Sequence, residues 1–277
     1  ASVTVALGQT KTCTITNNDV APKLHLRKVI VNDNGGTATV ADFTLTADGT
    51  GANDLSGTSP VDSNDTLNAD TFTLFETSVA GYTASAWDCV GGKQTGSNVK
   101  IDVGGEATCT ITNNDNAPSL TLNKVIVNDN GGTAVESDWT LSATGPTTIT
   151  GPGATGSTDV VSGASFDAGS YVLGESSGPA GYVASSWSCS NQDNDGTISV
   201  GLGETVTCTI TNNDIAPQLH LRKIVIIDNG GAALDTDWAL TADGTGSNDL
   251  SGTTPVDSNG SLLADTFEAF LGAVFLD

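Results

Sequence analysis

The run Thr108-Cys109-Thr110-Ile111-Thr112-Asn113-Asn114-Asp115-Asn116-Ala117-Pro118, followed at once by Ser119-Leu120-Thr121-Leu122-Asn123-Lys124-Val125-Ile126-Val127, occurs three times in the chain. The other copies start at Thr12 (TCTITNNDVAPKLHLRKVIV) and Thr207 (TCTITNNDIAPQLHLRKIVI). Their cysteines are spaced by 109 − 13 = 96 and 208 − 109 = 99 residues. A fixed period of that length marks a tandem array of like domains, and this run is the joint between consecutive units. The alternating Thr-rich half reads as a strand that closes one unit. The alternating Leu-x-Leu-x-Lys half reads as a strand that opens the next, with only x-Ala-Pro between them.

Working outward from the joint, residues 23–115 and 119–214 are complete units. Residues 1–19 match 196–214 and read as the closing hairpin of an upstream or neighbouring repeat; residues 218–277 restart a unit and form an incomplete sandwich. That restart copies the first unit, since LHLRK, TADGTG, NDLSGT and PVDSN all recur, so two repeat types alternate. Within the first unit, strands are expected through Asp42-Phe43-Thr44-Leu45, Asp70 to Glu76, Ser85 to Cys89, Val99 to Val103 and Ala107 to Asn113. Asn32-Asp33-Asn34-Gly35-Gly36 offers Asn-Gly for a tight hairpin, and Asp33, Asp129 and Asp228 are hairpin residues in that reading. About seven short strands per hundred residues, with Gly, Asp, Ser and Asn between them, give an all-β chain of tandem immunoglobulin-like β-sandwich repeats.

Nine basic against 32 acidic residues leave a formal net charge of −23, which argues against nucleic acid and anionic membranes as partners. There is no apolar run long enough to span a bilayer and hence no membrane insertion; without signal peptide or Met, the sequence reads as a mature or excised piece of something longer. Of five cysteines, two follow Trp at equivalent places, Trp87-Asp88-Cys89 and Trp187-Ser188-Cys189. The expected disulfides are therefore Cys89–Cys109 and Cys189–Cys208, which places the chain in an oxidising, extracytoplasmic setting. Cys13 is left over, because its Trp-x-Cys partner would lie upstream of Ala1.

One feature exceeds a plain scaffold. Lys28 shares the leucine face of its strand with Leu24 and Leu26, and Lys124 and Lys223 do the same in their units. A lysine that faces a core needs a partner, because an unpaired buried ammonium is very costly. Asn113 shares parity with Cys109 and Ile111, and Asn212 with Cys208 and Ile210. Glu76 ends Phe72-x-Leu74-x-Glu76 and Glu175 ends Tyr171-x-Leu173-x-Glu175, so both also point inward. Apolar surroundings free the amine as a nucleophile and keep the acid protonated, so that it can polarise the carboxamide; loss of ammonia would then leave a Lys–Asn isopeptide bond. A non-covalent hydrogen-bonded triad and a snorkelling lysine are the alternatives.

The order of opening-strand Lys, x-Leu-x-Glu shortly before Gly-Tyr (LFETSVAGY, VLGESSGPAGY) and a closing strand ending in Thr-x-Thr-Asn resembles the Cna-B or SpaA type prealbumin-like repeats of bacterial surface and pilus proteins. The resemblance implies a prealbumin-like sandwich and an autocatalytic isopeptide bond. It carries those roles to Lys28, Glu76 and Asn113, and to Lys124, Glu175 and Asn212. The disulfide beside the closing strand departs from many members. In the last unit the glutamate position reads Leu271, so Lys223 has no catalyst in its own chain.

Two readings of the joint stay open. Asn113-Asn114-Asp115-Asn116-Ala117-Pro118 resembles the cadherin linker, which makes Asp115, Asn116 and Asp214 candidate calcium ligands, or else it is a plain polar turn. No other cofactor is expected. Gly174-Glu175-Ser176-Ser177-Gly178 has the letters of a hydrolase elbow without its strand-to-helix context, and the two histidines, His25 and His220, fall on an outer strand face. Asn64-Asp65-Thr66 and Asn259-Gly260-Ser261 are acceptor sequons. The expectation is a non-enzymatic structural segment of an extracellular fibre, pilus or surface stalk, secreted or at the cell surface, whose partners are copies of itself. Strand donation between residues 1–19 of one copy and the last unit of another would build such a filament. The alternative is an adhesin that binds a glycan or a host protein.

Overall fold

The computed structural model describes residues 2–153, 160–191, 196–245, 248–258, 260 and 262–263, together with the backbone of 268–270. The chain divides into two compact units, Ala1–Asn116 and Ala117–Asp277. Among the described residues, strands and three 3-10 turns make up the regular structure, and no helix is long and apolar enough to cross a membrane.

In the first unit, the opening strand Lys23–Val31 alternates buried Leu24, Leu26 and Lys28 with more exposed residues, the period-2 signature of a strand with one face on a core. It lies between the short strand Val61–Asp62 and the closing strand Glu106–Asp115. The opening and closing strands run parallel, with Leu26 opposite Cys109, Lys28 opposite Ile111 and Ile30 opposite Asn113. The far edge of the closing strand takes Tyr82–Ala84 and Asp88–Gly91. A second sheet runs in the order Leu55–Gly57, Leu45–Asp48, Asp70–Glu76, Asn98–Ile101, Lys93–Thr95. Leu24, Leu26, Cys109 and Ile111 from one sheet pack with Leu45, Ala47, Phe72, Leu74, Val99 and Ile101 from the other, which makes a sandwich. The second repeat repeats the plan: Ser119–Val127 runs parallel to Thr205–Asp214, and the facing sheet contains Thr140–Thr144, Gly169–Glu175 and Thr197–Val200.

Both expected disulfides form, Cys89–Cys109 and Cys189–Cys208, each between directly opposed residues of the closing strand and its outer neighbour. Trp87 and Trp187 are buried in the cores beside them, and Cys13 is exposed with a free thiol.

Four local expectations are corrected. Asn32–Gly36 is not a hairpin: after Val31 the chain crosses to the other sheet, and Tyr82 and Asp115 hold the crossing loop. The strand expected from Asp42 starts only at Leu45, because Val40–Asp42 is a 3-10 turn whose Asp42 Oδ2 accepts the Thr39 N–H at 2.7 Å. The strand expected from Ser85 to Cys89 is not continuous: Tyr82–Ala84 ends before it, and Asp88–Gly91 begins only at its last two residues. Residues 2–22, expected as a closing hairpin over 1–19, carry no strand and are exposed up to Val20. A two-stranded hairpin without a sheet to join is marginal in water. In the third repeat Ala239–Asp243, Leu250–Thr253 and Glu268–Phe270 form one sheet, and His220–Leu221 pairs with Val256–Asp257. Leu271, Asn259 and Ser261 lie outside the described residues.

Replacing both Cys89 and Cys109 by Ser opens a loop of 20 residues. The variant is expected to lose about 3 kcal/mol of stability. Phe72→Ala, at a side chain with no exposed surface, should cost about 3–5 kcal/mol. Urea titration of the unit's tryptophan fluorescence checks both; a Phe72→Ala midpoint equal to wild type would contradict this core.

Candidate functional site

The parallel register sets the site. Lys28 lies opposite Ile111, so Asn113, two residues along the closing strand, falls on the same buried face. Glu76 ends its strand in the facing sheet opposite Leu45 and closes the same end of the sandwich. Lys28 Nζ stands 2.6 Å from Glu76 Oε1, and the two side chains are 0% and 6% exposed. In the second repeat Lys124 Nζ is 2.7 Å from Glu175 Oε1, with side chains 0% and 9% exposed. Asn113 and Asn212 are buried, and Asn212 Nδ2 donates to Glu175 Oε2 at 3.3 Å. Of the six residues singled out from sequence, Lys28 thus meets Glu76, Lys124 meets Glu175, Asn212 meets Glu175, and Asn113 is buried on the same strand face.

The polar groups are not fully satisfied. Each lysine and carboxylate oxygen sits at ion-pair distance but outside hydrogen-bond angles, and neither Asn113 Oδ1 nor Asn212 Oδ1 accepts a hydrogen bond from a described residue. A buried unsatisfied carbonyl normally costs about 1–3 kcal/mol, so this is an unusual place to leave one. Burial pushes the Lys28 amine below its ordinary value of 10.5, and the adjacent Glu76 carboxylate restores only part of the difference. Lys124 is lowered in the same way, against Glu175 and more weakly Glu136. An amine whose proton is more easily lost, set beside a carboxamide and a carboxyl group, brings a nucleophile, an electrophile and a proton carrier into one dry pocket.

Sequence reasoning did not identify the ring over each lysine. Lys28 Nζ lies 4.4 Å from the centre of Phe43, Lys124 Nζ 4.8 Å from Trp139 and Lys223 Nζ 4.6 Å from Trp238. The signal was there: 43 − 28, 139 − 124 and 238 − 223 are each 15. An aromatic face shields the amine from water and also favours whatever charge it keeps. Phe43 and Trp139 meet Tyr82 and Tyr182 edge-on, with centroids 6.0 and 5.4 Å apart.

The residues marked for calcium are engaged with the protein itself. Asp115 is 2% exposed, and its carboxylate accepts the backbone N–H groups of Asp33 at 3.1 Å, Asn34 at 2.9 Å and Gly36 at 2.7 Å. Asp214 takes Asp129, Asn130 and Gly132 in the same way. Asn116 Oδ1 accepts from Thr83 Oγ1 at 2.6 Å. Among the described residues no group of three or more His, Cys, Asp or Glu is placed to hold a metal ion. His25 and His220 lie on the outer face, paired to Asp62 at 2.5 Å and Asp257 at 2.7 Å.

A family model described as SpaA_2, prealbumin-like fold domain, matches residues 19–111, 115–210 and 214–269. No curated protein matches the sequence. Among solved structures, the Bacillus anthracis TIE protein is similar at 13% identity and a TM-score of 0.48 over 91% of this chain, which spans 44% of that one. A C-terminal fragment of the pilus adhesin SpaC from Lactobacillus rhamnosus GG aligns at 11% identity and a TM-score of 0.40, covering 72% of this chain and 99% of that one. The major pilin T-13 of Streptococcus pyogenes aligns at 12% identity and a TM-score of 0.36, over 70% and 98% of the two chains.

Burial alone would raise the Asp115 carboxyl, but the N–H groups of Gly36, Asn34 and Asp33 outweigh it and hold the acid below its ordinary 3.8. Its contribution to stability is therefore complete above the unfolded value and lost as pH falls through the lower folded one. The urea midpoint of Asp115→Asn should fall well below wild type at neutral pH, and the gap should close under acid conditions below 3.8. A gap that stayed constant with pH would show that the charge is not what holds the loop.

Proposed function

Because the chain belongs to the prealbumin-like fold domain family, in tandem copies, we propose that it is a structural segment of an extracellular fibre, pilus or surface stalk whose complete repeats lock themselves with isopeptide bonds. The bonds are Lys28–Asn113 and Lys124–Asn212. The observation that carries the reading is the pair of buried lysine–glutamate contacts at the end of each core, each lysine lowered from its ordinary value by burial and each accompanied by a buried asparagine whose carboxamide oxygen has no hydrogen-bond partner.

The chemistry balances within the protein. The lysine first passes a proton to the glutamate, which leaves a free amine and a carboxylic acid. The amine nitrogen attacks the asparagine Cγ while the acid hydrogen-bonds the carboxamide and supports the negative charge that develops on its oxygen. The glutamate then moves a proton from the attacking nitrogen to the departing one, the Cγ–Nδ2 bond breaks, and ammonia leaves. One C–N bond forms and one breaks, and no outside reactant is needed. The protein acts once, on itself, and does not turn over.

The mechanical consequence follows from topology. A chain pulled at the start of the opening strand and the end of the closing strand loads a parallel pair in shear. A bond from Lys28 to Asn113 carries that load directly between the two strands, and residues 29–112 are left out of the path. The short x-Ala-Pro joints suit a stiff array better than a flexible tether. The disulfides fit an oxidising location at or outside the cell surface, where the partners are further repeats of the same kind.

Reduced, denatured protein is expected to weigh less than its sequence by one ammonia per bond, two in all. Glu76→Ala should restore one ammonia and Glu175→Ala the other, and digestion should return the branched Lys28–Asn113 and Lys124–Asn212 peptides only where the acid is present. A full-mass wild-type chain would remove the covalent lock and leave the fold untouched.

A further inference from the structure

The last inward residue of each closing strand, Asp115 or Asp214, stands two residues beyond the cluster asparagine on the same face. We propose that Asp115 and Asp214 are positioning residues for the lysine–asparagine reaction. Each ties the loop that leaves the lysine strand to the strand that carries the asparagine, so that both reactants are held in one register under a closed aromatic roof. This rests on the isopeptide reading above and extends it to residues outside the Lys–Glu–Asn cluster.

The ties are continuous. The Asp115 carboxylate gathers the N–H groups of Asp33, Asn34 and Gly36, a concave backbone turn of the kind that binds anions. Tyr82, paired with Asp115 in the sheet register, donates its hydroxyl to Asn32 Oδ1 at 2.6 Å and accepts the Ala38 N–H at 2.9 Å. Both ends of the loop are therefore anchored to two adjacent strands. The loop leads into the 3-10 turn and then to Phe43, whose ring meets Tyr82 on one side and Lys28 Nζ on the other. Gly36 fits only because it lacks a side chain: a Cβ there would meet the Tyr82 hydroxyl and come within 2.7 Å of Asp115 Oδ2.

The second repeat rebuilds the assembly with a different roof. Asp214 holds Asp129, Asn130 and Gly132; Tyr182 donates to Asn128 Oδ1 at 2.5 Å and accepts the Ala134 N–H at 3.0 Å; Trp139 takes the place of Phe43. A Cβ on Gly132 would meet the Tyr182 hydroxyl and come within 2.8 Å of Asp214 Oδ2. Lys28 faces Glu76 as its charged partner, and Lys124 faces Glu175 with Glu136 nearby. The aspartates act on the amine through the loop and its ring. A misplacement of about 1 Å between reacting groups can slow a reaction roughly a hundredfold, so a loop that fixes this distance bears on rate.

The test uses the full 277-residue chain, made by cell-free synthesis, sampled over time, denatured and digested. In Asp115→Asn the Lys28–Asn113 crosslink should form roughly ten- to a hundredfold more slowly than in wild type. The Lys124–Asn212 crosslink in the same molecules should keep its rate and serve as the clock. Counting only molecules that carry the Cys89–Cys109 disulfide and whose first repeat survives a brief protease pulse restricts the measurement to a folded first repeat. The pH profile of the first-repeat rate should also move upward, because water admitted under the roof returns Lys28 toward its ordinary 10.5. Loss of folded protein alone would lower the yield at every pH without moving the profile. Gly36→Ala, which pushes on the cradle from the loop side, should reproduce both effects. A first-repeat rate equal to wild type in disulfide-bonded molecules, or a slower rate with an unmoved profile, overturns the proposal. Wild-type chains without either crosslink would instead remove the isopeptide reading, and this proposal with it.

Discussion

The parallel ladder between the first and last strands of each repeat is the constraint on which the rest depends. Parallel neighbours cannot be joined by a tight turn, so after Val31 the chain must leave the sheet and come back before Glu106, adding only the short flanking strands Val61–Asp62, Tyr82–Ala84 and Asp88–Gly91 to it on the way. That excursion is the second sheet. The same ladder puts Leu24, Leu26, Cys109 and Ile111 on one inward face and continues that face with Lys28 and Asn113. An apolar core and a polar cluster are thus successive stretches of one surface, and the cluster lies where the sandwich ends.

Burying a lysine, a glutamate and an asparagine together is a poor way to gain stability. The desolvation of two charges offsets most of their attraction, and an apolar trio of the same volume would usually do as well or better. The geometry around Lys28 softens the loss, with an acid at 2.6 Å on one side and an aromatic face at 4.4 Å on the other. It does not complete the hydrogen bonds, and a half-satisfied buried cluster is costly in a protein at equilibrium. The proposed covalent step would remove the amine's basicity and the carboxamide's mismatch, and so give two repeats a use for the same unfavourable arrangement.

The closing strand is held from both sides. Its inner neighbour is the lysine strand, and its outer neighbour is fixed to it by a disulfide, Cys109 to Cys89 or Cys208 to Cys189. The two links differ in what they resist. The disulfide closes a loop of about 20 residues inside the repeat and limits the unfolded chain. The proposed isopeptide would close nearly the whole repeat and limit its extension. Asp115 and Asp214 extend the same strand's reach to the crossing loop, so that one strand organises both sheets.

How much was legible in the sequence follows from which interactions are local. The repeat, the inward parity of Lys28, Glu76 and Asn113, and the pairing of Cys89 with Cys109 could be read from period and alternation, because a strand's side-chain direction is fixed by its own backbone. The Asn32–Gly36 segment was misread as a hairpin because Asn-Gly favours a tight turn locally, whereas the carboxylate that shapes it lies 79 residues away at Asp115. Phe43 carried a visible signal in its constant spacing from Lys28, yet its role over the amine exists only once the chain has crossed between sheets. The closing pattern at residues 12–19 is the same in letters as that at 207–214, but it becomes a strand only where an opening strand lies beside it. Alternation decides which way a side chain points; backbone hydrogen-bond partners and the opposite wall of a pocket come from distant parts of the chain, and only the tertiary structure supplies them.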